Sequence, residues 1–380
     1  MDHEPQWIWQ QADWPTFHWD GRRLSPALRR CALAQGRLLG LLQGTNEAFN
    51  AESELDALLQ NIVTSSAIEG ERLNVGTVRS SLARRLGLPG QQTVTPRSEG
   101  LAQLMVEAIS AFDGPLTLKR LLYWHELLFA HHGDAFFSLR IGELRGEEPM
   151  QVVSGRIDRP VIHFEAPPRH GLDHQLKAFL DWFNASLAGT TLDPLLRAGI
   201  AHFWFVTLHP FEDGNGRLTR ALTDMALAQA DGQSIRFYAM SASILAHREA
   251  YYRVLEQSQK GGLDISDWLE WFLQIFAETL QQATARIERV MAKARFWQRH
   301  RQHGLSKEEI RVLNRMLDGD LLADRPGSGF SDSINARQYQ AVAKVSKATA
   351  TRHLTDLLEK GCLEKQPGGG RSTRYKIRWN

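Results

Sequence analysis

The sequence predicts a mainly α protein: a helical bundle with one small β-hairpin, followed by a C-terminal helix-turn-helix domain. Three observations predict it. Ala198 to Leu208 is an almost unbroken apolar run at buried-helix spacing, and helical patterns continue from Arg217 to Ala230 and from Asp267 to Gln298. Strand-type residues occur mainly around Ser154-Gly155 and Asp158-Arg159-Pro160, where turn residues separate two short β-branched runs. After residue 330, two short helical stretches precede two strand-like segments with a glycine-rich tip between them. At 380 residues the chain exceeds one comfortable core. The expected division is an N-terminal helical module over 1–95, a core over 96–290 and a C-terminal domain over 300–380.

The first segment crowds Trp7, Trp9, Trp14 and Trp19 beside Pro5 and Pro15, more aromatic surface than one helix face can bury. Such residues either staple the first helix, about Pro26 to Gln43, onto the core or form a contact with a second copy. An amphipathic helix from about Glu52 to Ser66 follows and leads into Ser65-Ser66-Ala67-Ile68-Glu69-Gly70. The N-terminus lacks the basic and apolar stretches of a signal peptide, no apolar run reaches membrane-spanning length, and a cytoplasmic protein is expected. Cys31 and Cys362 lie in opposite terminal regions and define neither a disulfide framework nor a metal site by spacing. His163 and the pair His131-His132 likewise lack partners at a zinc spacing and read as surface or satisfied histidines.

The densest chemistry lies in His209-Pro210-Phe211-Glu212-Asp213-Gly214-Asn215-Gly216-Arg217-Leu218-Thr219-Arg220. Pro210 forbids continuation of the preceding helix, so the segment is a corner between two helices. The N–H groups of Gly214, Asn215 and Gly216 would open the second helix, where unpaired donors and the macrodipole favour an anion. His209 titrates near neutrality and suits a general base. Asp213 offers the hard oxygens that Mg²⁺ prefers, and the Asn215 amide can donate to a phosphate oxygen. Arg217 and Arg220, three apart on one helix, suit phosphate bidentately. Together they describe a nucleoside triphosphate site without a P-loop, since no G-x-x-x-x-G-K-[ST] occurs.

These twelve residues match, position by position, the H-P-F-x-[DE]-G-N-G-R-x-x-R signature of the Fic family, and the chain resembles that family. The resemblance implies a Fic-type helical bundle that transfers AMP from ATP to a Tyr, Thr or Ser hydroxyl of a target protein. It implies that His209 is the catalytic base and that Asp213 holds Mg²⁺. Gly214, Asn215 and Gly216 would cradle the phosphates, Arg217 and Arg220 would hold the distal ones, and Phe211 would anchor the nucleotide-binding turn in the core. Ser65, Glu69 and Gly70 match the S-x-x-x-E-G inhibitory pattern of one Fic class, implying that Glu69 pairs with Arg220 at the γ-phosphate position. The alternative is a solvated helix end carrying Glu69 and Glu71. The hairpin from Gln151 to Pro168 resembles the Fic flap, whose edge pairs with an extended target segment; a ribbon that merely covers a loop is the blander reading. The tryptophan-rich segment resembles the extension that precedes many Fic cores.

At the C-terminus, Ser306 to Leu317 reads as a helix with a capping box from Ser306 to Glu309, punctuated by Pro326-Gly327-Ser328-Gly329. Ala336 to Lys344, Val345-Ser346 and Lys347 to Lys360 give helix, turn, helix, and Leu363 to Lys365 and Thr373 to Ile377 flank a glycine tip. The pattern resembles a winged helix-turn-helix. Residues 331–380 hold ten Lys or Arg against four Asp or Glu, a net +6, whereas the whole chain carries +2. Lys347, Arg352, Arg371 and Arg374 are the candidate DNA contacts, with protein docking as the competing use. The expected partners are therefore ATP, a target protein, the chain itself through automodification, a second copy in a homodimer, and DNA, with no membrane. Two other functions compete with AMP transfer: a DNA-binding regulator that senses nucleotide, and removal of AMP from a modified protein.

Overall fold

The computed structural model of the chain describes residues 6–45, 47–89, 93–130, 139–156, 159–189, 191–232, 237–318, 333–367 and 373–379. The chain divides into two compact units, Met1–Ala283 and Thr284–Asn380. The first unit holds both the expected N-terminal module and the expected core.

The first unit is helical around one hairpin. Its helices are α1 (Gly21–Leu42), α2 (Glu47–Ile68), α3 (Val75–Arg85), α4 (Pro96–Ser110), α5 (Leu118–Leu128), α6 (Leu172–Ala185), α7 (Pro194–Leu208), α8 (Asn215–Asp231), α9 (Met240–Ala246) and α10 (Arg248–Gln259). The hairpin is β1 (Gln151–Arg156) with β2 (Arg159–Glu165), and α11 (Ser266–His300) carries the chain across the unit boundary. α7 and α8 form the centre. Every residue of α7 from Leu195 to Leu208 is buried, which is why the run looked apolar rather than amphipathic. Phe203, Phe205 and Leu208 from α7 and Leu218 and Leu222 from α8 have no solvent exposure. Pro194 enters α7 at its first turn, where its missing N–H costs nothing, and Asp193 caps Leu195 N.

The N-terminal aromatics dock on this core. Trp7 is 3% exposed and meets the Phe164 ring edge-on at 5.4 Å, while Trp9 Nε1 donates to the Glu165 carbonyl at 2.7 Å. Trp14 lies edge-on to Phe17 and Trp204, and its Nε1 donates to Gln175. The stapling reading is thus the one the contacts support.

The second unit runs α12 (Lys307–Asp318), β3 (Ser333–Ile334), α13 (Ala336–Ala343), α14 (Lys347–Glu359), β4 (Leu363–Lys365) and β5 (Tyr375–Ile377). Its strands form an antiparallel sheet in the order β3-β5-β4. Two short helices joined by a tight turn, α13 and α14, are thus followed by paired strands β4 and β5. Ser306 and Glu309 form the predicted capping box, and Ser346 caps α14 by accepting from Thr349 N. Val312, Leu313, Leu317, Ile334, Tyr339, Leu357 and Cys362 fill its core with no exposure. Pro326 to Gly329, the glycine tip with Arg371, and His131-His132 lie outside the described residues.

Trp7→Ala removes a buried indole from between the N-terminal segment and β2, an expected loss of about 3–5 kcal/mol. Urea denaturation of the full chain measures it as a lower midpoint at unchanged slope.

Candidate functional site

The site is the corner between α7 and α8, and the first fact about it is how tightly the turn is held. His209 ends α7 in the left-handed region (φ 49°, ψ 57°), its N–H reaching the Phe205 carbonyl at 3.2 Å. For a non-glycine residue this conformation costs about 1–2 kcal/mol, so its surroundings must impose it. Buried Arg145 does so: its backbone N–H donates to the Pro210 carbonyl at 3.0 Å, its Nε to the His209 carbonyl at 2.9 Å, and its Nη2 to the Pro167 carbonyl. Asn215 closes the turn from the other side. Its Oδ1 accepts from Phe211 N at 3.0 Å and its Nδ2 donates to the Phe211 carbonyl at 2.8 Å. This 2%-exposed side chain thus spends its Oδ1 and one Nδ2 hydrogen on the turn's own backbone.

Phe211 is fully buried and stacks on the His125 ring at 4.3 Å and 9°, so its place is the anchor of the turn and not a wall of the nucleotide site. His125 in turn has a fixed tautomer. Gly142 N–H donates to its Nδ1 at 3.0 Å, so Nε2 must carry the proton it gives to the Asp213 carbonyl at 3.1 Å. Burial lowers its pKa and keeps it neutral in that role.

The same reasoning assigns His209. Its Nδ1 lies 3.1 Å from the Val206 carbonyl, which can only accept, so the proton sits on Nδ1 and the Nε2 lone pair is left for a substrate. Burial pulls its pKa below the ordinary imidazole value, with Arg145 adding to the effect against the Val206 hydrogen bond. The half-buried ring is therefore a neutral acceptor at physiological pH.

At the N-terminus of α8, Gly214 takes φ 81° without any side-chain cap, and a Cβ there would lie 2.6 Å from Leu128 Cδ2. The helix start is thus open to an anion. Glu69 fills that place: a Cβ on Gly216 would lie 2.3 Å from its Oε1. The carboxylate accepts from Arg220 Nη2 at 2.7 Å, while Arg220 Nε and Nη2 also donate to Ser65 Oγ and the Ser65 carbonyl at 2.8 and 2.9 Å. Gly70 follows at φ 80°, so all three residues of the predicted inhibitory pattern lie at this one junction. Burial alone would raise the Glu69 carboxyl; the charge and hydrogen bond of Arg220, aided by Arg217 and Arg248, bring it below its ordinary value. Burial likewise opposes the Arg220 charge, and Glu69 outweighs it.

Glu71 makes a second pair, with Arg217 Nη1 at 2.9 Å, and also engages Arg97. Arg220 Nη1 and Arg217 Nε remain buried donors without partners, the condition expected beside a site for further anionic oxygens. Asp213 differs from both glutamates. Its carboxylate is 60% exposed, takes the Gly214 N–H on Oδ1, and holds Arg217 only at 3.4 Å. One accessible carboxylate beside a phosphate-type cradle fits Mg²⁺, which draws its other ligands from phosphate and water.

The hairpin stands beside the corner. Val153, Val161 and Ile162 are exposed, and the register slips between Val152 and Val153. His163 is a satisfied histidine: Nδ1 meets Glu256 at 2.9 Å and Nε2 meets Ser154 Oγ at 2.6 Å, tying the hairpin to α10. In the second unit, Lys347 and Arg352 are exposed along the start of α14. Arg374 is a correction. Its Nε and Nη2 donate to Ser333 Oγ and the Ser333 carbonyl at 2.7 and 2.9 Å, so it joins β5 to β3 rather than standing free for DNA.

The helical corner thus gathers a base, an uncapped helix start, two arginines and an accessible carboxylate, the groups that phosphate chemistry uses. Residues 115–227 match the Fic/DOC family model, and this part of the chain is a Fic domain. Residues 7–88 match a domain of unknown function, DUF4172, which spans the tryptophan-rich segment, α1, α2 and α3. The chain is 25% identical over 252 residues to a protein adenylyltransferase Fic of Drosophila willistoni, covering 65% of this chain and 45% of that protein. It is 26% identical over 248 residues to one of Aedes aegypti, covering 64% and 44%. It thus spans less than half the length of these curated relatives. By fold it is similar to a Fic family protein from Desulfovibrio desulfuricans G20, with a TM-score of 0.51, 21% identity, and coverage of 93% of this chain and 96% of that one. Fic-1 from C. elegans gives a TM-score of 0.51 at 20% identity over 71% and 74%.

The residues that sequence reading left unassigned are Arg145, His125 and Glu71. Only Glu71 gave a signal, two places after Glu69. Arg145→Leu would leave the His209 and Pro167 carbonyls without donors in a buried setting. The expected loss is about 1–3 kcal/mol for each carbonyl left unpaired, read as a lower urea midpoint.

Proposed function

We propose that this chain transfers AMP from ATP to a Tyr, Thr or Ser hydroxyl of a target protein, and that Glu69 holds the reaction in check. The observation that carries the reading is the Glu69 carboxylate seated over Gly216 and paired with Arg220 at the open start of α8. An anion is wanted there, and the triphosphate and Glu69 compete for it.

In the proposed reaction, His209 Nε2 accepts the proton of the target hydroxyl as its oxygen attacks the α-phosphorus. The bond to the β-phosphate breaks, AMP becomes esterified to the target, and pyrophosphate leaves. The α8 N–H groups and the guanidinium groups of Arg217 and Arg220 hold the negative oxygens in place. Asp213 would hold Mg²⁺, which when bound neutralises phosphate charge. The exposed Val153, Val161 and Ile162 edge offers an extended target segment a strand to pair with.

Intact-mass analysis of the full chain with ATP and Mg²⁺ tests this. Glu69→Gly is expected to raise the yield of AMP-modified chain or target, and Glu69→Gly with Arg220→Ala to be inactive again. His209→Ala in the Glu69→Gly background should lose about 10²–10⁴-fold in rate with ATP binding retained. Because the pKa of His209 is lowered, its base form persists below the ordinary imidazole value of 6.5, so the rate should fall only at more acidic pH. A fully active His209→Ala enzyme would falsify the assignment, and a Glu69→Gly protein no more active than wild type would remove the inhibitory role.

The exposed start of α14 favours one addition: we infer that the second unit binds duplex DNA with α14 in the major groove, through Lys347 and Arg352. Affinity of the full chain in gel shifts should fall steeply with salt, and Arg352→Ala should weaken it by about 1–3 kcal/mol. Absence of binding at low salt, or an unchanged Arg352→Ala, points instead to protein docking.

A further inference from the structure

Cys362 and two histidines converge in the second unit, at a place the nucleotide chemistry does not touch. His300 is the last residue of α11, His303 lies in the turn that follows, and Cys362 lies in the turn between α14 and β4. His300 Nδ1 is 3.0 Å from His303 Nδ1 and 3.4 Å from Cys362 Sγ, and the three atoms all lie within 4.8 Å of one another. His300 is 4% exposed and Cys362 not at all, whereas His303 is exposed. Spacing alone gave no hint of this, because the Cys is 59 residues beyond the second His.

Counting lone pairs shows why the grouping is unusual for a simple hydrogen-bond cluster. His300 Nδ1 carries either one lone pair or one proton, yet it faces both a second imidazole nitrogen and a thiol. In either tautomer it makes one full hydrogen bond and leaves the other neighbour short of one. Its other nitrogen, Nε2, is buried without a partner and offers no relief. A cation removes the conflict, since all three atoms then give electrons to one centre. The spacing suits this. A tetrahedral zinc with Zn–N of about 2.0–2.1 Å and Zn–S of about 2.3 Å separates its ligand atoms by about 3.3–3.6 Å; two of the pairs stand at 3.0 and 3.4 Å and the third, His303 to Cys362, within 4.8 Å.

The ligand positions are also set in advance by backbone. Cys362 N–H donates to the Leu357 carbonyl at 2.9 Å and the Cys362 carbonyl accepts from Arg378 N–H at 3.1 Å. His303 N–H donates to the His300 carbonyl at 3.2 Å. The thiolate is the ligand form of cysteine, so a dication bound here would displace the Cys362 thiol proton.

We propose that His300, His303 and Cys362 form a site for one divalent cation of the zinc class, with a fourth position open to water on the His303 side. Thiolate and imidazole select a borderline-soft ion over Mg²⁺ or Ca²⁺, which prefer oxygen. The bound ion ties the end of α11 to the α14–β4 turn, so it sets the geometry of the second unit and not the chemistry of the first.

The test uses tag-free full-length chain, chelator-treated and then titrated with Co²⁺, with zinc competition. The expected result is one equivalent of Co²⁺ with a thiolate-to-cobalt charge-transfer band and the intense visible bands of four-coordination, displaced by zinc. Cys362→Ser abolishes the charge-transfer band, and His303→Ala, whose exposed side chain leaves folding intact, weakens binding about 10–100-fold or more. Asp213→Asn leaves the spectrum unchanged, which separates this site from the nucleotide site. No charge-transfer band in the wild type, or a band that survives Cys362→Ser, overturns the proposal. If Cys362→Ser fails to fold, an undiminished affinity in His303→Ala overturns it alone.

Discussion

The constraint on which the first unit depends is that one buried helix must end and another begin within six residues, in the middle of the core. Little water reaches the orphan carbonyls of α7 or the buried side of the turn between the helices. The chain meets this with long-range donors. Arg145 serves the His209 and Pro167 carbonyls through its side chain and the Pro210 carbonyl through its backbone, Asn215 serves Phe211 on both polar groups, and His125 serves Asp213. Once those bonds are made, the remaining groups of the corner, the His209 Nε2 lone pair and the uncapped start of α8, have no structural duty. Beside them, Arg217 Nε and Arg220 Nη1 are likewise not engaged by the turn.

Arg220 extends the same logic to charge. A guanidinium 3% exposed is costly unless an anion accompanies it, and removing one member of such a pair is worse than never having built it. Glu69 supplies that anion from Oε1, at the very place where α8 presents its positive end. Exchange of this carboxylate for phosphate oxygens therefore trades one anion for another, which is far easier than opening a buried ion pair to nothing. The unpartnered Arg220 Nη1 and Arg217 Nε leave capacity for a ligand with more oxygens than one carboxylate provides.

How much of this was legible in the sequence follows the range of the interactions. Pro210, the glycines and the apolar run before them located the corner, since proline and glycine act through the local backbone. The second unit was readable for the same reason: the Ser306 and Ser346 caps and the paired short helices are local features. Arg145, His125, Glu71 and His300 were not readable, because each acts on a residue between 60 and 150 positions away and none sits in a distinctive pattern. Asn215 and Arg374 went the other way. Their residue types suit phosphate, yet Asn215 is engaged with the nearby Phe211 backbone and Arg374 with Ser333 forty-one positions away, which composition does not reveal.

The position of α2 limits what can move when Arg220 changes partner. Leu55, Leu58 and Ile62 are buried, Asn61 Nδ2 donates to buried Asp224 of α8, and Asn61 Oδ1 accepts from Ser241 N of α9 at 3.1 Å. Ser65 is held by Arg220 itself, and the Ile68 carbonyl accepts from Arg248 Nε at 2.7 Å. A helix fixed at these points is part of the core, and lifting it would expose all of that surface together. Glu69 lies beyond the last helical residue, 31% exposed at its side chain, with Gly70 in the left-handed region immediately after it. The cheap degree of freedom is thus rotation of one side chain on a glycine-flanked turn, whose second carboxylate oxygen already accepts from the Tyr252 hydroxyl at 3.4 Å. The helix that brings Glu69 to the site can stay in place while the group it presents leaves.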